Sequence, residues 1–247
     1  MLEILHEEAH FMLVNKPSGL FSQSAPGIDN LQEQMIAQLA TRDEAAGRPF
    51  IGLPHRLDRG TSGVMLLARN QRALKRLCEQ FHSRKVGKRY MAIIEGTCLS
   101  NGEVWEDYLR KVLDQPRAEL VTAQCEGAKL AQMRVLPLAC AEDLTLVDVE
   151  LLTGRMHQIR LQLASRGWPV VGDTSYGSVR SFGPIDPEGR RQHLALHSWQ
   201  IDFRHPQTAR FCSVVASPPE TWLELPAVLL SSALAHIDDH RRSQPMA

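Results

Sequence analysis

Pro54-His55-Arg56-Leu57-Asp58-Arg59-Gly60-Thr61-Ser62-Gly63-Val64-Met65-Leu66-Leu67-Ala68-Arg69-Asn70 decides the reading of this chain. Pro54 to Ser62 is a polar, glycine-containing loop, and Gly63 to Ala68 is apolar enough for a buried strand. Asn70 then supplies a helix N-cap, followed by Leu74, Leu77, Cys78 and Phe81 at helical spacing. One carboxylate, Asp58, stands between Arg56 and Arg59 ahead of the strand. It fits either a turn-stabilising aspartate or a nucleophile held among cations.

On the N-terminal side, Leu2–Leu5 and Phe11–Val14 read as short strands, and Lys16-Pro17-Ser18-Gly19 as a loop. Asn30 caps a helix to about Leu39, with Glu33 at the capping-box position. On the C-terminal side, Arg89–Glu95 is strand-like, and strand patterns dominate from Val104 to Leu152. Met156–Ser165 reads as a helix stopped by Gly167. Strands return at His193–Phe203 and Phe211–Val215, and Pro226–His236 suits a last helix. Strand runs broken by few helices predict an α+β fold. One domain over 1–240 is expected, followed by a flexible tail, 241–247.

Hydrophobic residues make up 43% and charged residues 23%, as in ordinary globular proteins. No apolar run approaches the roughly 18 residues of a membrane span, and the start lacks a secretory pattern. A cytoplasmic, monomeric protein without membrane contact is the expectation. Five widely spaced cysteines without a CxxC pair fit free thiols. Lys plus Arg and Asp plus Glu both total 28. The balance hides an asymmetry. Arg69, Arg72, Lys75, Arg76, Arg84, Lys85, Lys88 and Arg89 face only Glu79 in their stretch, whereas 95–150 holds eleven acids against five bases. The basic run leads into Tyr90, whose ring can stack on an extruded base or simply fill a core.

Two further stretches can carry chemistry. In Thr153-Gly154-Arg155-Met156-His157-Gln158-Ile159-Arg160, Arg155 and Arg160 fit surface charges or phosphate binders; if Arg160 points inward it requires a carboxylate, for which Asp58 is the natural candidate. Gly172-Asp173-Thr174-Ser175-Tyr176-Gly177 is a turn by composition, as readily structural as catalytic. His6-Glu7-Glu8-Ala9-His10 matches a zinc-protease pattern, but it joins two strand-like runs where that chemistry needs a helix.

Together these segments resemble one family. PHRLDRGTSGVMLLARN is similar to the H-R-L-D-x-x-T-S-G signature of RluA-type pseudouridine synthases, and TGRMHQIRLQL to their T-G-R-x-H-Q-I-R-x-H segment. KRYMAIIEG, GDTSYG and LALHSWQIDFRHP resemble three more family stretches, all in the same order. Gln162 departs from the family histidine, and Ala216-Ser217-Pro218-Pro219 from the usual apolar-proline stretch.

The resemblance implies a mixed, largely antiparallel sheet flanked by helices, crossed by an RNA cleft, as in short members without an S4 domain. It implies isomerisation of a uridine in rRNA or tRNA with no cofactor and no metal. Asp58 would be the catalytic aspartate, either attacking the sugar carbon or taking a ribose proton. Arg160 would be its ion-pair partner. Tyr90 would pack on the target base, and Arg56 would help extrude it. His55, Thr61, Arg155, His157, Gln158 and Lys88 are expected to bind substrate. Arg72, Lys75 and Arg76 are expected to form a phosphate track leading to the site. A silent RNA-binding module on the same fold and a zinc hydrolase using His6 and His10 are the competing expectations.

Overall fold

The computed structural model describes residues 1–25, 27–44, 47–98, 100–184 and 192–243. Ten strands form one sheet: β1 (Glu3–Glu7), β2 (Phe11–Lys16), β3 (Ser62–Ala68), β4 (Gly87–Glu95), β5 (Val104–Lys111), β6 (Ala118–Val121), β7 (Lys129–Ala141), β8 (Leu144–Leu151), β9 (Leu196–Arg204) and β10 (Phe211–Val215). The order is β1-β2-β3-β9-β4-β8-β7-β5-β6, with β10 also on β9. Among these ten strands only β3 and β9 pair in parallel. The helices are α1 (Leu31–Arg42), α2 (Gln71–His82), α3 (Gln158–Ala164) and α4 (Ala227–Ser243). This is the mixed, mostly antiparallel α+β architecture expected. Among the described residues no helix is long and apolar enough to cross a membrane.

Alternation along each strand sends successive side chains to opposite faces. Met65 and Leu67 of β3, with Tyr90, Ala92 and Ile94 of β4, pack against α1 and α3 through Leu31, Met35, Ile159 and Leu163. Met91 and Ile93 meet α4 through Leu229, Ala233 and Ile237. Val64 and Leu66 meet α2 through Ala73 and Leu77. Removing Leu77 fully from water contributes about 2 kcal/mol. Cys78, expected on the apolar side of α2, is exposed, and Ala73 takes the buried position instead.

Both predicted caps form. Asn30 accepts from Glu33 N at 3.1 Å, and Asn70 from Ala73 N at 2.8 Å. Two expectations need correction. The third helix starts at Gln158, not Met156, because His157 has a left-handed backbone (φ 52°). The last helix runs to Ser243, so 241–243 are not a loose tail; residues 244–247 lie outside the described part. Ile237 is fully buried, and His240 packs edge-on against Trp199 at 5.2 Å, which holds the extra turns.

The short parallel pairing positions the site. Ser62 lies opposite His197, and Gly63 opposite Ser198. Gly63 has φ 116°, and a Cβ there would stand 2.2 Å from Ser198 O. No side chain fits such an approach. Gly63→Ala is therefore expected to cost about 3 kcal/mol or more. Thermal unfolding measures it, and an unchanged Tm would contradict this account of the β3–β9 junction.

Candidate active site

The loop before β3, the start of β4, the turn before α3 and the 172–177 turn converge at the strand ends around Gly63. Asp58 lies in the first of these, with its side chain about one-third exposed. Arg160 Nη1 stands 3.4 Å from Asp58 Oδ2, and His157 Nε2 stands 3.8 Å from the same oxygen. The expectation that Asp58 is the partner of Arg160 needs refinement. Arg160 gives its two short bonds to Asp173, from Nε at 2.6 Å and Nη2 at 2.8 Å. Asp173 is fully buried. Its bidentate grip fixes the guanidinium plane, so that Nη1 is aimed at Asp58 over a longer gap. Burial works against the charge on Arg160, but the bonds to Asp173 and the field of Asp58 outweigh it and raise its pKa. The guanidinium also lies 5.0 Å from the Tyr176 ring centre.

Tyr90 is 7% exposed. Most of the side chain is in the core, so little of it is open to a ligand. Burial, with the nearby charge of Asp58, pushes the phenol pKa up against a hydrogen bond with Ser198. The hydroxyl thus stays protonated across the physiological range. His157 places Nδ1 3.0 Å from Tyr176 Oη, and that hydroxyl also accepts from Ala118 N at 3.0 Å. Burial lowers the His157 pKa, with Asp58 opposing the shift.

Three expected substrate contacts are structural. The His55 ring stacks on Phe81, centres 4.6 Å apart, and accepts from Leu66 N at 3.0 Å. Burial, aided by Lys88, lowers its pKa to about 3, so the ring is neutral and serves as an anchor. Thr61 is buried. Gln158 is buried too. Its Oε1 accepts from Thr153 and Arg155 N, and its Nε2 donates to Gln132 O and Gln162 Oε1. Gln162 passes the chain on to Asp107 at 2.6 Å. The residue replacing the family histidine is therefore part of a satisfied amide network under α3. Arg56, two residues before Asp58, is exposed.

The basic track also needs correction. Arg72 and Arg76 line a cavity of about 220 Å³ with His10, Asn70, Pro206 and Gln207. His10 and Asn70 adjoin the ends of β2 and β3 farthest from the Asp58 loop. Arg76 donates to Pro206 O at 2.6 Å, and Lys75 is exposed on the same helix. Arg89 points to the α4 side, where it pairs with Asp148. Lys88, two residues before Tyr90, stays on the site face. Arg180 pairs with Asp143.

Sequence reasoning passed over Lys16, reading it only as part of a loop. Its side chain is fully buried. The ammonium donates to Leu20 O at 2.7 Å, Pro17 O at 2.9 Å and Arg59 O at 3.2 Å, stitching two loops beneath Asp58. Burial lowers its pKa to about 7, with Asp58 opposing and Arg59 adding to the shift. No local pattern marks it, since a lysine before Pro-Ser-Gly at a strand end reads as an ordinary loop residue. The His6–His10 segment is a hairpin turn, not a helix: Glu7 binds Arg42 and Arg69, and Glu8 binds His205 and Arg210.

An aspartate held opposite an arginine at a strand junction, near a protonated tyrosine, can act as a nucleophile or as a base. Residues 10–165 match the family described as RNA pseudouridylate synthase. The chain belongs to that family. It is an RNA pseudouridine synthase, an enzyme that isomerises uridine within RNA. The chain is 35% identical over 239 residues to the ribosomal large subunit pseudouridine synthase D of Xylella fastidiosa, covering 92% of this chain and 69% of the relative. It is 31% identical over 235 residues to the tRNA pseudouridine synthase C of Pasteurella multocida, covering 91% and 94%. The fold is shared with human RNA pseudouridylate synthase domain containing 4, at a TM-score of 0.72 and 21% identity, over 96% of this synthase and 93% of that chain.

Proposed function

We propose that the protein converts a specific uridine of rRNA or tRNA to pseudouridine in the cytoplasm, with Asp58 as the reacting carboxylate. The observation that carries this is the Asp58–Arg160–Asp173 arrangement, in which one buried carboxylate holds the arginine and the other is about one-third exposed. The relatives named above act on both RNA classes.

The reaction breaks the bond from N1 to ribose and makes one from C5. No electrons and no external group are exchanged, so the chemistry needs neither cofactor nor metal. The target base must leave its stack to be reached. Arg56, exposed two residues before Asp58, fills the vacated space, and the open part of Tyr90 supports the flipped ring. Asp58 then attacks the sugar carbon or takes a ribose proton as the base departs. The protonated Tyr90 hydroxyl is available for the proton transfers after the base has turned.

Incubating the purified protein with unmodified rRNA and tRNA transcripts in EDTA tests the proposal. Pseudouridine is expected at a defined position in one class. Activity lost in EDTA and restored by zinc would favour a metal mechanism instead.

A further inference from the structure

Three cations meet at one rim of the site without any acid. Arg84 comes from the turn after α2, where it adopts a left-handed backbone (φ 56°). Lys88 comes from β4, and Arg155 from the loop before α3. Gly154 has no side chain, and a methyl there would stand 3.4 Å from Lys88 Nζ, so the half-buried ammonium lies against bare backbone. Arg155 Nε donates to Leu130 O at 2.9 Å, which fixes that side chain. Among the described residues neither the Arg84 nor the Lys88 side chain makes a hydrogen bond or an ion pair, although the Arg84 backbone donates to Phe81 O at 3.2 Å. Arg69, Arg89, Arg110, Arg166 and Arg180, by contrast, each meet a carboxylate. In a chain with as many acids as bases, an unneutralised trio at the mouth of the site calls for an anion from outside.

We infer that Arg84, Lys88 and Arg155 bind one phosphate of the RNA strand, the one adjoining the uridine presented to Asp58. The inference rests on reading the Asp58–Arg160 site as the uridine site. Lys88 and Tyr90 share a face two residues apart, about 6.6 Å along the strand, a spacing suited to a nucleotide whose base lies at Tyr90.

The site has a pH signature. The groups around Lys88 are Arg84 on the turn, Arg155 on the loop before α3, neutral His55 on the Asp58 loop and apolar Ile201 across on β9. Burial, then the charges of Arg84 and Arg155, lower the Lys88 pKa to about 8. The ammonium is charged below that pH and lost above it. A bound phosphate favours the charged form, so binding takes up a proton, and affinity falls as pH rises from 7 to 9, by about tenfold.

The test uses a five-nucleotide oligouridylate and fluorescence anisotropy, in the Asp58→Asn background to prevent turnover. With Lys88 intact, affinity is expected to fall about tenfold between pH 7 and 9. Adding Lys88→Arg keeps the affinity at pH 7 and removes the fall. Adding Lys88→Gln weakens binding at pH 7 and reduces the salt slope by about 0.7. No binding at low salt, a pH fall that persists in Lys88→Arg, or an unchanged slope in Lys88→Gln would each overturn the inference. The pseudouridine assay on rRNA and tRNA reports separately on the Asp58 reading. Pseudouridine without the Lys88 signature removes only the phosphate site, and the signature without pseudouridine removes only the reaction.

Discussion

Asp58→Asn is expected to leave the protein folded and able to bind RNA while turnover falls by about 10³-fold or more. The amide has nearly the same shape, and the position is partly exposed, so packing around it is undisturbed. What disappears is the charge facing Arg160 Nη1 and the electron pair that attacks the sugar or takes its proton. A 10³-fold loss corresponds to about 4 kcal/mol of transition-state stabilisation. Single-turnover rates on a modifiable transcript measure it, and an unchanged melting curve guards against misfolding. Turnover near wild type would assign the chemistry to another group.

The second large effect belongs to Asp173. Removing it by Asp173→Ala leaves Arg160 buried with only its long contact to Asp58. Breaking a buried ion pair costs about 3–5 kcal/mol, because the remaining charge is left without compensation. For a chain of this size that lowers Tm by roughly 10 °C. Turnover should fall as well, since Arg160 loses the two bonds that aim it. A change in Tm below about 2 °C would mean that Asp58 alone can hold the arginine. The stability effect separates this prediction from the first, in which Tm stays constant.

Much of this was legible before the structure. Gly63–Ala68 reads as buried because every residue is apolar or small, and β3 is indeed buried on both faces. Asn30 and Asn70 announce their helices because a cap is a local interaction, decided by residues three positions apart. The meeting of Asp58 and Arg160 followed from the cost of burying an arginine alone. Asp173 stayed hidden because a turn aspartate and a buried ion-pair partner look alike in sequence. Their difference is burial, a property of the assembled fold.

Longer-range errors share that cause. Arg72, Lys75, Arg76, Arg84 and Lys88 form one basic run on paper. Helix α2 carries its first half to the far ends of β2 and β3, and only its last turn returns to the site. Strand alternation then divides the remainder, sending Arg89 to Asp148 and leaving Lys88 on the site face. His55 and Gln158 are polar residues inside site motifs, and polarity suggested ligand contact. Their partners, Leu66 N for one and Gln132 O for the other, lie 11 and 26 residues away and are brought into reach by the folded loops. Lys16 was unreadable for the opposite reason: nothing local says that a lysine will be buried whole, and its three carbonyl partners come from two loops.

The most direct test of the central claim is a pseudouridine map of rRNA and tRNA from cells lacking the gene, complemented with wild type or with Asp58→Asn. The account predicts a defined uridine that becomes pseudouridine with the wild-type protein and stays uridine with the variant, at equal protein levels. Restoration by both, or by neither, would contradict it.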